Sequence, residues 1–373
     1  MTGFLKTVES YRPGACTMPG RHYTAPEILA LEHERIFARH WISVGRTAEF
    51  TRRGDYRLVG VAGESLIVLR DQQGTLCAFF NICRHRGTRL CDATLGHLSE
   101  TIQCPYHAWT YGLDGRLIGA PHMNEVPGFD KQDYPLHAAA TAEWEGFVFV
   151  CLAHEPRPFT EYFAPVLERF QRFNLPALVT VRRIEYEVRA NWKLVMQNYS
   201  ECLHCPTIHP ELSTKLPYTS GANDLVEGPF LGGYMNIKAP NQSATMSGAR
   251  CGLLLGDLPL EDRHRAFYYT LFPTMMLSLH PDYAVYYTVW PTGPTATRVI
   301  CEWMVHPDSP AAPEYNIRDA EEFWDRTNRQ DWSICERSQL GVASRRYQPG
   351  PYSPRESVPA AWDREYMRQL GPV

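Results

Sequence analysis

Cys83-Arg-His85 and Cys104-Pro-Tyr-His107 are two short segments that each supply one thiol and one imidazole. Gly87 follows the first pair and Pro105 interrupts the second, so both read as turns near strand ends, and two loops can converge on one centre. Two thiolates can hold one iron of a [2Fe–2S] cluster while two neutral imidazoles hold the other. Exchanging thiolate charge for imidazole raises the reduction potential well above that of an all-cysteine cluster, which suits an electron relay. Tetrahedral zinc accepts the same four donors. Zinc fingers, however, pair Cys with Cys in one segment and His with His in the other, whereas each segment here carries one of each.

Around these loops the pattern is that of short strands. Asp55 to Arg70 has strand-like apolar pairs broken at Gly63, Thr75 to Ile82 follows a turn, and Thr101 to Ile118 carries an Asp114-Gly115 hairpin signal. Glu155-Pro-Arg-Pro158 marks a boundary. Upstream, Thr24-Ala-Pro-Glu27 is a capping-box start that opens a helix through Ile28, Leu31, Ile36 and Phe37. Downstream, Phe159 to Phe173 reads as helix, Val179 to Arg189 as strand, and Asn191 to His209 as helix. Asp224 to Asn241 is poorly determined. Ala266 to Leu279, Tyr283 to Trp290 and Arg298 to Val305 are three strand-like runs. Glu314 to Leu340 is a long helix with Phe323, Trp324, Thr327, Ile334 and Leu340 as inner positions, and Pro359 to Leu370 is a last helix. The fold class is α+β. The expected division is an N-terminal helical segment (1–40) packed on the catalytic domain, a small antiparallel cluster domain (41–155) and a catalytic domain (156–373).

A cluster alone moves electrons, so a catalytic metal is sought downstream. Asn198-Tyr-Ser-Glu201-Cys-Leu-His204-Cys-Pro-Thr-Ile-His209 concentrates the candidates. On a helix Glu201 and His204 face the same way, and Pro206 would end or kink that helix so that His209 folds back toward His204. Two imidazoles and one carboxylate make the facial triad that binds non-haem Fe(II) with positions left open. Spacing does not choose a distant carboxylate among Asp325, Asp331 and Glu336. Cys202 and Cys205 frame His204, but without the strand-then-helix context of a thioredoxin-like dithiol. The remaining cysteines of the eleven read mainly as buried, inert thiols, and an odd count without a secretion signal argues against a disulfide framework.

Cys83-Arg-His-Arg-Gly87, Cys104-Pro-Tyr-His-Ala-Trp109, Tyr111-Gly-Leu-Asp-Gly-Arg116 and Trp144-Glu-Gly-Phe-Val-Phe149 together resemble the Rieske non-haem iron oxygenases, large (alpha) oxygenase subunit. The resemblance implies a helix-grip-like catalytic domain, Trp109 packed near the cluster, and His204 and His209 as iron ligands. Asn328-Arg-Gln-Asp331-Trp-Ser-Ile-Cys-Glu336 resembles the family's C-terminal iron segment, which assigns the third ligand to Asp331. The resemblance also implies that Glu201 is not a ligand but an electron bridge between a cluster histidine of the neighbouring subunit and His204. Many members have Asp there with one more residue after the Asn; Glu at the shorter spacing belongs to a subset.

The net charge of −4 leaves no basic excess for nucleic acid. No apolar run reaches membrane-spanning length, and the N-terminus lacks a signal layout, so a cytoplasmic protein is expected. No Gly-x-Gly-x-x-Gly follows a strand, so electrons should come from a separate NAD(P)H-dependent reductase, directly or through a ferredoxin; the resemblance implies a flavin and an iron–sulfur centre in that reductase. The family implies a homotrimer. Among the downstream aromatics, Tyr269, Phe272 and Tyr287 are candidate pocket walls, able to hold a quaternary ammonium or a planar ring. The Glu201 variant and the Asn328–Glu336 segment look most like the members acting on betaine- and carnitine-type amines; oxidation of an aromatic compound is the alternative. A zinc-stabilised binding protein or a pure electron carrier is the rival class. Colour and iron content separate these.

Overall fold

The computed structural model describes residues 3–373. They fall into two compact units, His33–Ala164 and the N-terminal residues up to Glu32 together with Pro165–Val373. No helix among the described residues is long and apolar enough to cross a membrane.

The His33–Ala164 unit is antiparallel throughout. Its seven-stranded sheet runs in the order Ile42–Arg46, Phe147–Cys151, Ala138–Trp144, Leu76–Phe80, Glu64–Arg70, Asp55–Val61, Leu95–His97. The Gly63 break is a two-residue hairpin turn: Ala62 and Gly63 both have positive φ, 53° and 83°, and Val61 pairs with Glu64. The expected Thr101–Ile118 hairpin is a three-stranded sheet of Thr101–Gln103, Thr110–Gly112 and Leu117–Gly119. Ile67, Leu69, Phe79 and Tyr111 form a core that also encloses Cys83 and Cys104.

The second unit is a seven-stranded antiparallel sheet. Its order is Val179–Val188, Ala296–Val305, Tyr283–Gly293, Met275–Leu279, Arg265–Leu271, Phe230–Asn236, Ala222–Leu225. Helices Trp192–Tyr199, Ile317–Val342 and Ser357–Leu370 accompany it, in keeping with the α+β expectation. Three local expectations are corrected. Phe159–Phe173 is not one helix: Pro165 interrupts it, leaving a single turn at Phe159–Tyr162 and another at Gln171–Phe173. Ala266–Leu279 is two strands, because Pro273 sits between them. Leu340 is 78% exposed, and the inner stripe at that end of the long helix runs through Cys335 and Gln339 instead.

A buried ion pair fastens the N-terminal segment to this unit. Lys193 Nζ lies 2.5 Å from Glu32 Oε1, and Trp192 Nε1 and Tyr366 Oη donate to the same carboxylate at 2.8 and 2.6 Å. Nearby, Asp363 accepts from Gln197 Nε2 at 2.5 Å and from Tyr352 Oη at 2.8 Å. Burial pushes its carboxyl up to about 7, against the pull of those two donors. A raised carboxyl favours the folded state fully below its unfolded value near 4 and loses that contribution as pH climbs through 7. The Asp363→Asn protein should therefore show a flatter melting temperature between pH 5 and 8 than the parent, with the difference between the two widest at pH 8. Parallel curves in a pH-resolved thermal melt would contradict this.

Candidate metal centres

The two cluster loops are built alike. Cys83 N donates to Thr88 O and Cys104 N to Trp109 O, each at 2.8 Å, and each loop is closed in reverse by Gly87 N to Cys83 O (3.0 Å) and Ala108 N to Cys104 O (3.1 Å). The fourth residue after each cysteine is left-handed, Gly87 at φ 74° and Ala108 at φ 56°. The thiols point inward, with Cys83 2% and Cys104 3% exposed, while His85 is exposed and His107 half-buried. The rings of His85 and His107 lie 4.8 Å apart, and Trp109 stacks on His85 at 4.8 Å and 6°. Tyr111 Oη sits 3.3 Å from Cys83 Sγ.

This donor set fits a [2Fe–2S] cluster better than any protein-only role. Buried His107 Nδ1 has no hydrogen-bond partner, an arrangement that costs free energy unless a ligand takes the lone pair. Burial raises the Cys83 thiol, and the neighbouring Cys104 adds to the rise.

In the second unit the Trp192–Tyr199 helix stops, and Glu201 closes the turn that follows. Its Oε2 accepts from the backbone N–H groups of Leu203 and His204, and its Oε1 takes the His204 Nδ1 bond at 2.5 Å. Glu201 and His204 are therefore joined across a turn, not along a helix. Pro206 does not end a helix either; it sits in the first turn of a new one, Cys205–Ile208, where its missing N–H is harmless. That turn brings His209 back, with its ring 5.1 Å from that of His204.

Asp331 Oδ1 is 3.2 Å from His204 Nε2 and 2.9 Å from His209 Nε2. Three ligand atoms thus face one point, the pattern of a two-His, one-carboxylate metal site. The other two carboxylates are engaged elsewhere: Asp325 by Tyr186 Oη and Arg329, Glu336 by Arg189. Burial opposes charge on Asp331, but the two histidines hold its carboxyl below the ordinary range; burial likewise opposes charge on His204, which Asp331 and Glu201 push up to about 10. Two carboxylates converge on two imidazoles in this partly buried site, a donor set that would suit Fe(II).

One participant was not visible in sequence. Gln330 Oε1 lies 2.7 Å from His209 Nδ1, so His209 donates there and turns its Nε2 lone pair toward the metal position. Only adjacency to Asp331 hinted at it. Gln330→Leu should cut turnover roughly 10- to 100-fold and weaken iron retention on chelator challenge, as loss of such orienting partners does; unchanged iron retention would count against the role. A second surprise is that Cys202 and Cys205 are joined as a disulfide, with Cα atoms 4.9 Å apart. The sequence argues against a disulfide framework and assigns this pair no bridging role, so the single bridge is an addition to that reading. The turn after Tyr199 puts the two within bridging range and removes Cys205 as a competing ligand beside His204 and His209.

A cavity opens from the metal position, and its wall differs from the expected one. Tyr199, Tyr268, Trp324 and Thr270 line it; Tyr269, Phe272 and Tyr287 do not. Tyr269 lies on the opposite face of its strand, its hydroxyl toward Asp224; Phe272 packs on Trp362, and Tyr287 lies against Tyr199.

Residues 40–130 match the Rieske [2Fe-2S] domain, and residues 175–371 match the ring hydroxylating alpha subunit (catalytic domain). The chain is 33% identical over 92% of its length to the glycine betaine monooxygenase oxygenase subunit of Chromohalobacter salexigens, covering 83% of that protein. It is 34% identical to the carnitine monooxygenase oxygenase subunit of Escherichia coli K12 over 53% of this chain and 54% of that one. The fold superposes on the quaternary ammonium Rieske monooxygenase CntA with a TM-score of 0.79 at 24% identity, covering 95% of each chain. With both centres and both domains accounted for, the chain belongs to the Rieske non-haem iron oxygenases, as an oxygenase subunit that carries a [2Fe–2S] cluster and a mononuclear iron.

Proposed function

We infer that the protein oxidises a small quaternary ammonium compound of the betaine type, and that a corner of three aromatic rings binds its cationic head. The rings of Tyr199 and Tyr268 are 6.3 Å apart, and those of Tyr268 and Trp324 are 6.2 Å apart. All three line the cavity that His204, His209 and Asp331 also line. Ring quadrupoles attract a cation that has no N–H to donate. Tyr268 Oη and Thr270 Oγ1, on the same wall, are buried without a partner and present oxygen dipoles to that charge. The similarity to a glycine betaine monooxygenase oxygenase subunit supports the same reading.

When bound, the iron supplies open positions for dioxygen and the cluster supplies electrons. His204, His209 and Asp331 would hold the iron; Cys83, His85, Cys104 and His107 would hold the cluster. Glu201 and Gln330 hold the Nδ1 atoms of the two imidazoles, which leaves each Nε2 beside Asp331 where it would meet the iron. The rings orient one N-methyl group toward it and keep bulk water from the cationic head. One oxygen atom from O2 enters a C–H bond, the second leaves as water, and two electrons and two protons balance the step. The hydroxymethyl product collapses to a tertiary amine and formaldehyde. The electrons come from a separate flavin and iron–sulfur reductase, directly or through a ferredoxin. In a homotrimer Glu201 would accept a hydrogen bond from His107 of the neighbouring subunit, since its Oε1 takes one bond within the turn and keeps a second lone pair.

Purified protein, assayed with a surrogate reductase against betaines and benzoates, should release formaldehyde with the betaines. Turnover confined to benzoates would overturn the proposal.

A further inference from the structure

The geometry points to Arg355 as a specificity-determining residue that binds the carboxylate of a zwitterionic substrate whose ammonium head rests in the aromatic corner. Among the described residues, Arg355 is the only lysine or arginine on the cavity wall. The acidic residues there, Glu201 and Asp331, are spent on His204 and His209. A substrate carboxylate entering this cavity therefore has one side-chain cation to meet.

Arg355 is exposed at the cavity rim, and among the described residues no carboxylate pairs with its guanidinium. It lies over the Tyr218 ring at 5.4 Å, and Tyr218 also lines the cavity. Its backbone is fixed because the Pro354–Glu356 turn is closed by Ser353 N donating to Glu356 Oε2 at 2.8 Å and Glu356 N donating to Ser353 O at 2.9 Å. Two residues on, Ser357 Oγ donates to Thr7 O at 2.7 Å, and Thr7 Oγ1 accepts from Asn223 Nδ2 at 3.1 Å. Thr7 and Asn223 share the cavity wall with Arg355, so the arginine belongs to a connected polar rim. A second feature of the same cavity points to a ligand: Thr270 is 2% exposed, and its Oγ1 has no partner. Rings and bare oxygens at one wall suit a cation that cannot hydrogen-bond; a planar fork of N–H donors at another suits a carboxylate. An ammonium carboxylate matches both, whereas a simple alkyl ammonium leaves Arg355 unused.

This inference rests on the proposed function, and one experiment separates the two. Parent, Arg355→Gln and Arg355→Lys proteins are assayed with a betaine and with its methyl ester, which keeps the ammonium head and loses only the carboxylate charge. Cluster absorption and iron content verify folding. Arg355→Gln should raise KM for the betaine about tenfold or more, the range for a lost charge-assisted hydrogen bond at a partly solvated site. KM for the ester should stay the same, and Arg355→Lys should recover part of the loss. Equal KM values for parent and Arg355→Gln on the betaine, or an equal loss on the ester, overturn the role of Arg355 and leave the proposed function standing. A parent enzyme that converts benzoates and no betaine overturns both.

Discussion

Replacing Asp331 with alanine is expected to abolish oxygen-dependent turnover while leaving the cluster intact. Iron should fall from about three to about two per chain, since the cluster accounts for two and the triad for one. Asp331 Oδ1 faces the Nε2 atoms of both His204 and His209, within 3.2 Å of each. Without it two imidazoles and no carboxylate ligand remain, too few donors to retain Fe(II) against solvent. The loss should exceed the roughly 10- to 100-fold that removal of an outer orienting group costs. Cys83 and Cys104 lie in the other compact unit, in loops closed by their own backbone bonds, so the visible spectrum of the cluster should not change. Asp331→Asn refines the test, because it keeps the shape and removes only the charge. An alanine variant with parental iron content and turnover within tenfold of the parent would mean that the iron sits elsewhere.

The features legible in sequence are those whose determinants are local. Each cluster loop is complete within six residues, its donors and closing hydrogen bonds supplied by the segment itself. His204 and His209 are likewise neighbours across one turn. Asp331 was harder to read. It shares a helix with Asp325 and Glu336, and what separates the three is Tyr186 and Arg189, contributed by a strand and its end far away in sequence. The cavity wall was hardest. Tyr268 and Tyr269 are adjacent residues on opposite faces of one strand, and both faces are covered. Alternation says that they diverge but not which one meets the cavity. The Phe230–Asn236 strand was undetermined because it carries Gly232-Gly233, poor strand formers by propensity. There a Cβ on Gly233 would come within 2.1 Å of the Ala222 carbonyl oxygen, so close backbone approach, invisible in one dimension, dictates the glycine. Gln330 and Arg355 act through single contacts with no periodic signature.

The Glu201→Gln protein should lose about a hundredfold or more in turnover while keeping close to three irons per chain. The substitution preserves length and shape, so an effect must come from charge and hydrogen-bond polarity. As a carboxylate Glu201 only accepts, and it takes the His204 Nδ1 proton at 2.5 Å together with the backbone N–H groups of Leu203 and His204. A glutamine has one accepting oxygen, and its amide N–H groups would face the same donors, so at least one of these bonds is lost. If Glu201 served only to orient His204, the penalty would appear as weaker iron binding, and added Fe(II) would restore the rate. As the proposed bridge from His107 of the neighbouring subunit, it has a different signature. The reductase would still reduce the cluster, but reoxidation of the reduced cluster by oxygen and substrate would be slow in a single turnover, and Fe(II) would not rescue it. Stopped-flow absorbance of the cluster reads this directly. Parental reoxidation kinetics in the glutamine variant would rule out the bridge, and would leave Glu201 as a group that sets the orientation of one imidazole.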